Sequence, residues 1–331
     1  MSGLGQLSRG SLAFLLVSLA WCAVPVHAVE GAAQRQKPAA AQSSELASVQ
    51  TLLEQGRVAE AKASTLEYVQ LHPSSVEAYN LLGIICSNAR DYQGALDAFQ
   101  HALKLDPGST KSHNNLGNLY AAAGKTDVAE KEFRKTLALA ASNSEANYNL
   151  ALLLISRGKP SEAIPFLERV RPPTPESRIN LVRAYLRSNR TAEGLKLAQT
   201  LSTQDASNVQ RHFTLGILLA EEKQYKAAQL ELEKADVLKP GTFEILYNLG
   251  QAYLRAREYG KAELVLNRAL KLNPDSADTM YLLAQALNDE ARPVDALDLL
   301  ARAHKLAPQN PDIIFLLARV SMGLRVRRLR Q

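Results

Sequence analysis

Asn115, Asn149, Asn180 and Asn248 recur along this chain at intervals of 34, 31 and 68 residues. A carboxamide both donates and accepts hydrogen bonds, so a row of them can hold the backbone of an extended peptide without reading its sequence. One residue before that position stand Tyr148, Phe213, Tyr247, Tyr281 and Phe315. Aromatic rings there would give large contact area at low entropic cost, as binding anchors do. Packing against a neighbouring element is the competing use of the same rings. Three residues earlier again lie Glu77, Glu145, Glu176, Glu244, Asp278 and Asp312. Carboxylates in a first helical turn complement the helix dipole. If they also rim a groove, they favour a neutral or basic ligand and disfavour nucleic acid there.

Catalytic patterns are missing from the sequence. The histidines, at 27, 72, 101, 113, 212 and 304, do not group with Asp, Glu or Cys at metal-ligand spacing. His113 and His212 hold the same place in two different periods and read as packing residues. No phosphate-binding glycine loop, nucleophile elbow or carboxylate pair occurs, so no catalysis, cofactor or metal is expected.

The elements that must position these residues are set by an internal period. Ala61, Ala95, Ala129, Ala163, Gly194, Ala228, Ala262 and Ala296 follow one another at 34 residues, with one interval of 31. A period of this size predicts stacked helical hairpins, with a small residue where two helices cross closely. Copies start near residues 42, 76, 110, 144, 175, 209, 243, 277 and 311. Within each, apolar residues at i, i+3, i+4 and i+7 predict a first helix, as in Leu246, Leu249, Gly250 and Tyr253. A second follows, as in Ala262, Leu266 and Ala269, and prolines such as Pro107 and Pro274 end the hairpins. A first helix that buries its positions 4, 7, 8 and 11 turns positions 2, 5, 6 and 9 to the inner wall.

Val76-Glu-Ala-Tyr-Asn-Leu-Leu-Gly83, Gly94-Ala95 to Phe99 and Ala102-Leu-Lys-Leu-Asp-Pro107 together resemble the tetratricopeptide repeat. So do Tyr247-Asn-Leu-Gly250, Tyr259-Gly-Lys-Ala262 and Ala269-Leu-Lys-Leu-Asn-Pro274. The resemblance covers about residues 42–324 in eight to nine copies. It implies an all-α, right-handed α-solenoid that binds peptides or proteins on its concave side without catalysis. The expected peptide-binding residues are Asn115, Asn149, Asn180, Asn248, Tyr148, Phe213, Tyr247 and Tyr281. Asn114-Asn-Leu-Gly-Asn-Leu-Tyr120 is similar to the asparagine ladder of the repeats in O-linked N-acetylglucosamine transferases. That likeness implies an alternative, an accessory module recruiting substrate for an enzyme whose catalytic domain lies elsewhere. The Lys–Asn, Asn, Lys–Arg set with which related repeats clamp cytosolic chaperone tails is not matched over any three copies.

The ends carry separate expectations. Residues 1–28 read as a secretory signal: Arg9, an apolar stretch from Leu12 to Val24, then Val26-His27-Ala28 at the cleavage site. The setting expected is a bacterial periplasm or cell envelope, with an uncleaved membrane anchor as the alternative. Cleavage would remove Cys22 and leave Cys86 as the one cysteine, a core residue. Residues 29–41 read as a disordered spacer. Of the net charge of +6, Arg325, Arg327, Arg328 and Arg330 supply four, so residues 325–331 form a basic tail capable of weak contact with an anionic membrane surface. The fourth copy is three residues short and ends in Arg171-Pro-Pro-Thr-Pro175, and the ninth has only its first helix, to about Met322.

Overall fold

A computed structural model describes residues 39–329; the expected signal segment lies outside them. Each period folds as two antiparallel helices, giving an all-α repeat solenoid. The chain divides into two compact units, residues 32–199 and 200–331, with the division inside α10 (Thr191–Gln204). In the first unit the hairpins are α1 (Ala39–Glu54) with α2 (Val58–Leu71), α3 (Val76–Asn88) with α4 (Tyr92–Leu105), α5 (Thr110–Ala122) with α6 (Thr126–Leu139), and α7 (Ser144–Ser156) with α8 (Pro160–Leu167); α9 (Pro175–Arg187) then leads to α10. The second unit has α11 (Val209–Glu221) with α12 (Tyr225–Leu238), α13 (Phe243–Arg255) with α14 (Tyr259–Leu272), α15 (Ala277–Asp289) with α16 (Pro293–Leu306), and α17 (Pro311–Leu329). Among the described residues no helix is long and apolar enough to cross a membrane.

First helices start where a capping side chain stands ready. Ser75, Ser109, Asn143, Thr174, Asn208 and Ser276 each accept a backbone N–H three residues on, satisfying a donor that the first turn leaves open. Between the helices the chain reverses through one residue in the left-handed region. Gly56, Gly124 and Gly158 take it without strain, but Arg90, Asn189, Lys223, Arg257 and Ala291 occupy the equivalent place at φ of 59 to 64°.

The helix crossings explain the small residues. Ala61, Ala95, Ala129, Ala163, Ala228, Ala262 and Ala296 are fully buried. On the first helices a second small residue does the same work. A Cβ on Gly117 would come within 2.6 Å of the Phe133 ring, and one on Gly216 or Gly250 within 2.5 Å of Leu232 or Leu266. Each partner lies sixteen residues downstream, on the second helix of the same hairpin. The buried set is wider than positions 4, 7, 8 and 11. Positions 3 and 10 are covered too, as Ala78 and Ile85, Ala146 and Leu153, or Thr279 and Ala286. They face the preceding hairpin: Ile85 packs with Val49 and Ala61, and Ala78 with Leu46 and Tyr68. Cys86 is buried in the α3–α4 core, and burial pushes its thiol up.

Two end expectations are corrected. α1 begins at Ala39, inside the stretch read as spacer. α17 runs to Leu329 rather than stopping near Met322, so most of the segment read as a tail is helix. Leu324, Arg325, Arg327, Arg328 and Leu329 are good helix formers and outweigh Gly323 and Val326 in that stretch.

Candidate functional site

The first helices of the first unit bring an amide network together. Asn115 and Asn149 occupy the sixth positions of α5 and α7, and Asn180 that of α9. Each points its Nδ2 back at the preceding first helix. Asn149 donates to Asn118 Oδ1 at 2.9 Å and to Asn114 Oδ1 at 3.4 Å. Asn180 donates to the Tyr148 hydroxyl at 3.1 Å, and Asn115 to Asn80 Oδ1 at 3.5 Å. Asn80 in turn donates to Ser112 Oγ at 2.8 Å. Asn149 thus spends both N–H groups on the preceding hairpin, Asn180 shares its own between Tyr148 and Glu176 O of its own helix at 3.0 Å, and Asn115 makes one long contact. The carbonyl side differs along the row: Asn180 Oδ1 accepts from Arg183 at 3.1 Å, whereas Oδ1 of Asn115 and Asn149 accepts no hydrogen bond among the described residues. All three amides stay half-buried and so reach solvent.

Tyr148 belongs to this network and is half-buried. Burial raises its hydroxyl above the usual tyrosine range; the hydrogen bond from Asn180 opposes that and the Glu176 carboxylate adds to it. Asn80 and Arg183 are not among the residues expected from the sequence; Asn114 and Asn118 lie in the stretch likened to an asparagine ladder but not in the expected binding set. The signal for the latter two was present, since Asn114 and Asn118 flank Asn115 within one turn.

The second unit presents a different wall. Phe213, Tyr247 and Tyr281 are half-buried at the fifth positions of α11, α13 and α15, and Phe315 on α17 is 66% exposed. Phe243 and Tyr247 stack with centroids 6.0 Å apart. Burial raises the Tyr247 and Tyr281 hydroxyls, with added repulsion from Asp278 and Asp312 of the following first helices; at Tyr281 the Arg255 and Arg319 cations oppose it. Asn248 is apart from the amide network. Its Nδ2 donates to Glu244 O of its own helix at 2.7 Å. Seven of the eight expected residues thus fall into two groups, Asn115, Tyr148, Asn149 and Asn180 in the first unit and the rings of Phe213, Tyr247 and Tyr281 in the second, with Asn248 outside both.

Both histidines read as packing residues are buried, each against a buried glutamate. His113 Nδ1 is 2.6 Å from Glu132 Oε2, and its Nε2 is 3.1 Å from Pro107 O. His212 meets Glu231 and Ala206 O in the same way, at 2.7 and 3.1 Å. Lys135 and Lys234 close on the second oxygens of the two carboxylates at 2.8 and 2.7 Å. The sequence signal was a Glu at i+19 and a Lys at i+22 from each histidine. Among the described residues no group of three or more His, Cys, Asp or Glu is arranged to hold a metal ion.

Comparison with known proteins agrees with this architecture. The sequence profile described as tetratricopeptide repeat matches residues 46–110, 114–178 and 247–311, together more than half of the chain. No curated protein matches the chain in sequence. Among solved structures, the C-terminal part of a TPR repeat-containing protein from Cytophaga hutchinsonii is 14% identical, with 82% of this chain and 99% of that one covered at a TM-score of 0.52. YrrB, described as a TPR protein with an unusual peptide-binding site, is 20% identical over 66% of this chain and 96% of its own, at a TM-score of 0.41. The Cut9–Hcn1 hetero-tetramer of the APC/C is 18% identical and is matched by 83% of this chain at a TM-score of 0.46; this chain spans 55% of that one's length.

Proposed function

The chain belongs to the tetratricopeptide-repeat family, whose fold is a scaffold for protein–protein interaction and whose members are generally not catalysts, and from that premise we propose that its first helices bind an extended segment of another protein. The observation that carries this reading is the amide row of the first unit. Asn149 and Asn180 spend their N–H groups within the protein, while the Asn115 and Asn149 carbonyl oxygens have no donor among the described residues. Such a wall accepts hydrogen bonds from a peptide backbone and is indifferent to side-chain identity. The network also holds the acceptors in place beforehand, so little ordering entropy remains to be lost on binding.

Tyr247, Tyr281 and Phe315 give the second unit apolar anchor surface for a segment carrying bulky side chains. Export to a bacterial periplasm or envelope through residues 1–28, and assembly of complexes there, complete the proposal. Capture from an envelope extract on the full chain, compared with the Asn115→Ala, Asn149→Ala double variant, tests it. Loss of the captured protein with retained folding is expected. Undiminished capture rejects the role of the amide wall.

A further inference from the structure

The fourth repeat is three residues short, and a notch on the first unit lies beside the shortened segment. α8 has 8 residues, whereas α4 and α6 have 14 each. Leu167 is its last residue, and the Arg171–Pro175 segment cannot continue a helix. Where neighbouring hairpins place a final turn and a half, a cavity of about 530 Å³ opens, with Leu167, Pro173, Leu181 and Leu197 among its walls. That volume lies within the range of small-ligand clefts, about 300–1,000 Å³.

The rim is charged and unbalanced. Arg171 borders the cavity and is exposed. Its backbone is pinned: the Arg171 N–H donates to Ser144 Oγ at 2.9 Å, and that hydroxyl donates to Arg171 O at 2.6 Å. Its guanidinium donates to Val170 O at 2.9 Å and meets no carboxylate among the described residues. The one acid on the rim, Glu168, already accepts from the Tyr185 hydroxyl at 2.7 Å. Arg171 thus stands beside the apolar side chains of Leu167, Pro173, Leu181 and Leu197, with Ser177 and Arg178 completing the wall.

We propose that this notch is a second docking site, taking an acidic, apolar turn of a partner polypeptide. An apolar side chain of the partner fills the space over Leu181 and Leu197, and an Asp or Glu beside it pairs with Arg171. Guanidinium–carboxylate pairs can be bidentate, which would fix the direction of the incoming segment.

The test is selection of a displayed library of random twelve-residue peptides on the full chain, followed by anisotropy titration of the enriched peptides. Sequences combining Leu or Phe with Asp or Glu are expected, with affinity at least tenfold lower for Arg171→Glu and for Leu197→Glu. Arg171→Glu changes an exposed side chain, so an unaltered melting curve separates lost binding from lost folding. The proposal is overturned if nothing is enriched, or if enriched peptides lack acids. Binding that ignores both variants and falls only with Asn149→Ala overturns it too, and supports the amide wall instead.

Discussion

His212 Nδ1 and Glu231 Oε2 lie 2.7 Å apart in the core of the second unit, with the two side chains 1% and 8% exposed. Removing one member of a buried pair leaves the other desolvated without compensation. Glu231→Ala is expected to cost about 3 kcal/mol, because the buried His212 Nδ1 loses its partner, while the half-exposed Lys234 ammonium keeps its hydrogen bond to Ser202 Oγ. Glu60→Ala removes an exposed, solvent-screened pair with Arg57 and is expected to leave stability almost unchanged. Urea unfolding of both variants checks the contrast, and equal losses would contradict it.

The crossing between Gly250 and Leu266 leaves no room for a methyl group. A Cβ there would stand 2.5 Å from one Leu266 methyl carbon. Gly250→Ala is therefore expected to lower stability by about 1–3 kcal/mol in spite of alanine's better helix propensity. Gly323→Ala, where a Cβ meets nothing within 4 Å, should instead be neutral or slightly stabilising. Thermal melts of the two variants decide.

At Ala291 the backbone is left-handed, with φ of 64°, where three other turns use glycine. Ala291→Gly relieves that strain, offset in part by the greater freedom of glycine in the unfolded chain. A net gain of about 0.5–1 kcal/mol is expected. A destabilised variant would show that the turn is held by something other than backbone preference.

Tyr185 gives a pH signature. Burial, then its hydrogen bond to Glu168, pushes its hydroxyl up to about 12 from 10.0. Because the folded value lies above the unfolded one, the associated stability is complete below pH 10 and is lost as pH rises towards 12. Tyrosinate absorbance should show a late step that Tyr185→Phe diminishes. The step also involves Tyr253, raised by burial and by Glu233, so it should shrink rather than vanish.

Binding to the aromatic wall should respond separately from binding to the amide wall. Tyr247→Ala with Tyr281→Ala is expected to weaken a captured partner by about 1–2 kcal/mol per anchor, if the partner's bulky side chains sit there. Calorimetry against the isolated partner measures it. Unchanged affinity would assign both rings to packing.

The hairpin period was legible because one physical demand recurs in every copy. Two helices cannot cross at Ala95 or Ala262 unless the side chain is small, and nothing else in the sequence obscures that demand. The candidate site was legible only by position. Asn149 could be placed on the wall, but its donors point to Asn114 and Asn118, a choice made by neighbouring hairpins rather than by its own helix. His212 looked like a packing residue because Glu231 lies nineteen residues away, where no helical periodicity links them. Positions 3 and 10 escaped for the same reason, since they meet the preceding hairpin.

The sixteen-residue separation between each crossing glycine and its partner has a bearing on how such a chain can change length. Gly117 with Phe133 and Gly250 with Leu266 close wholly within a single hairpin. Residues can therefore be lost after the crossing without unlocking it, and the fourth copy lost its three past Ala163. A change of length placed past the crossing therefore alters the surface between hairpins and leaves the lock within each hairpin untouched.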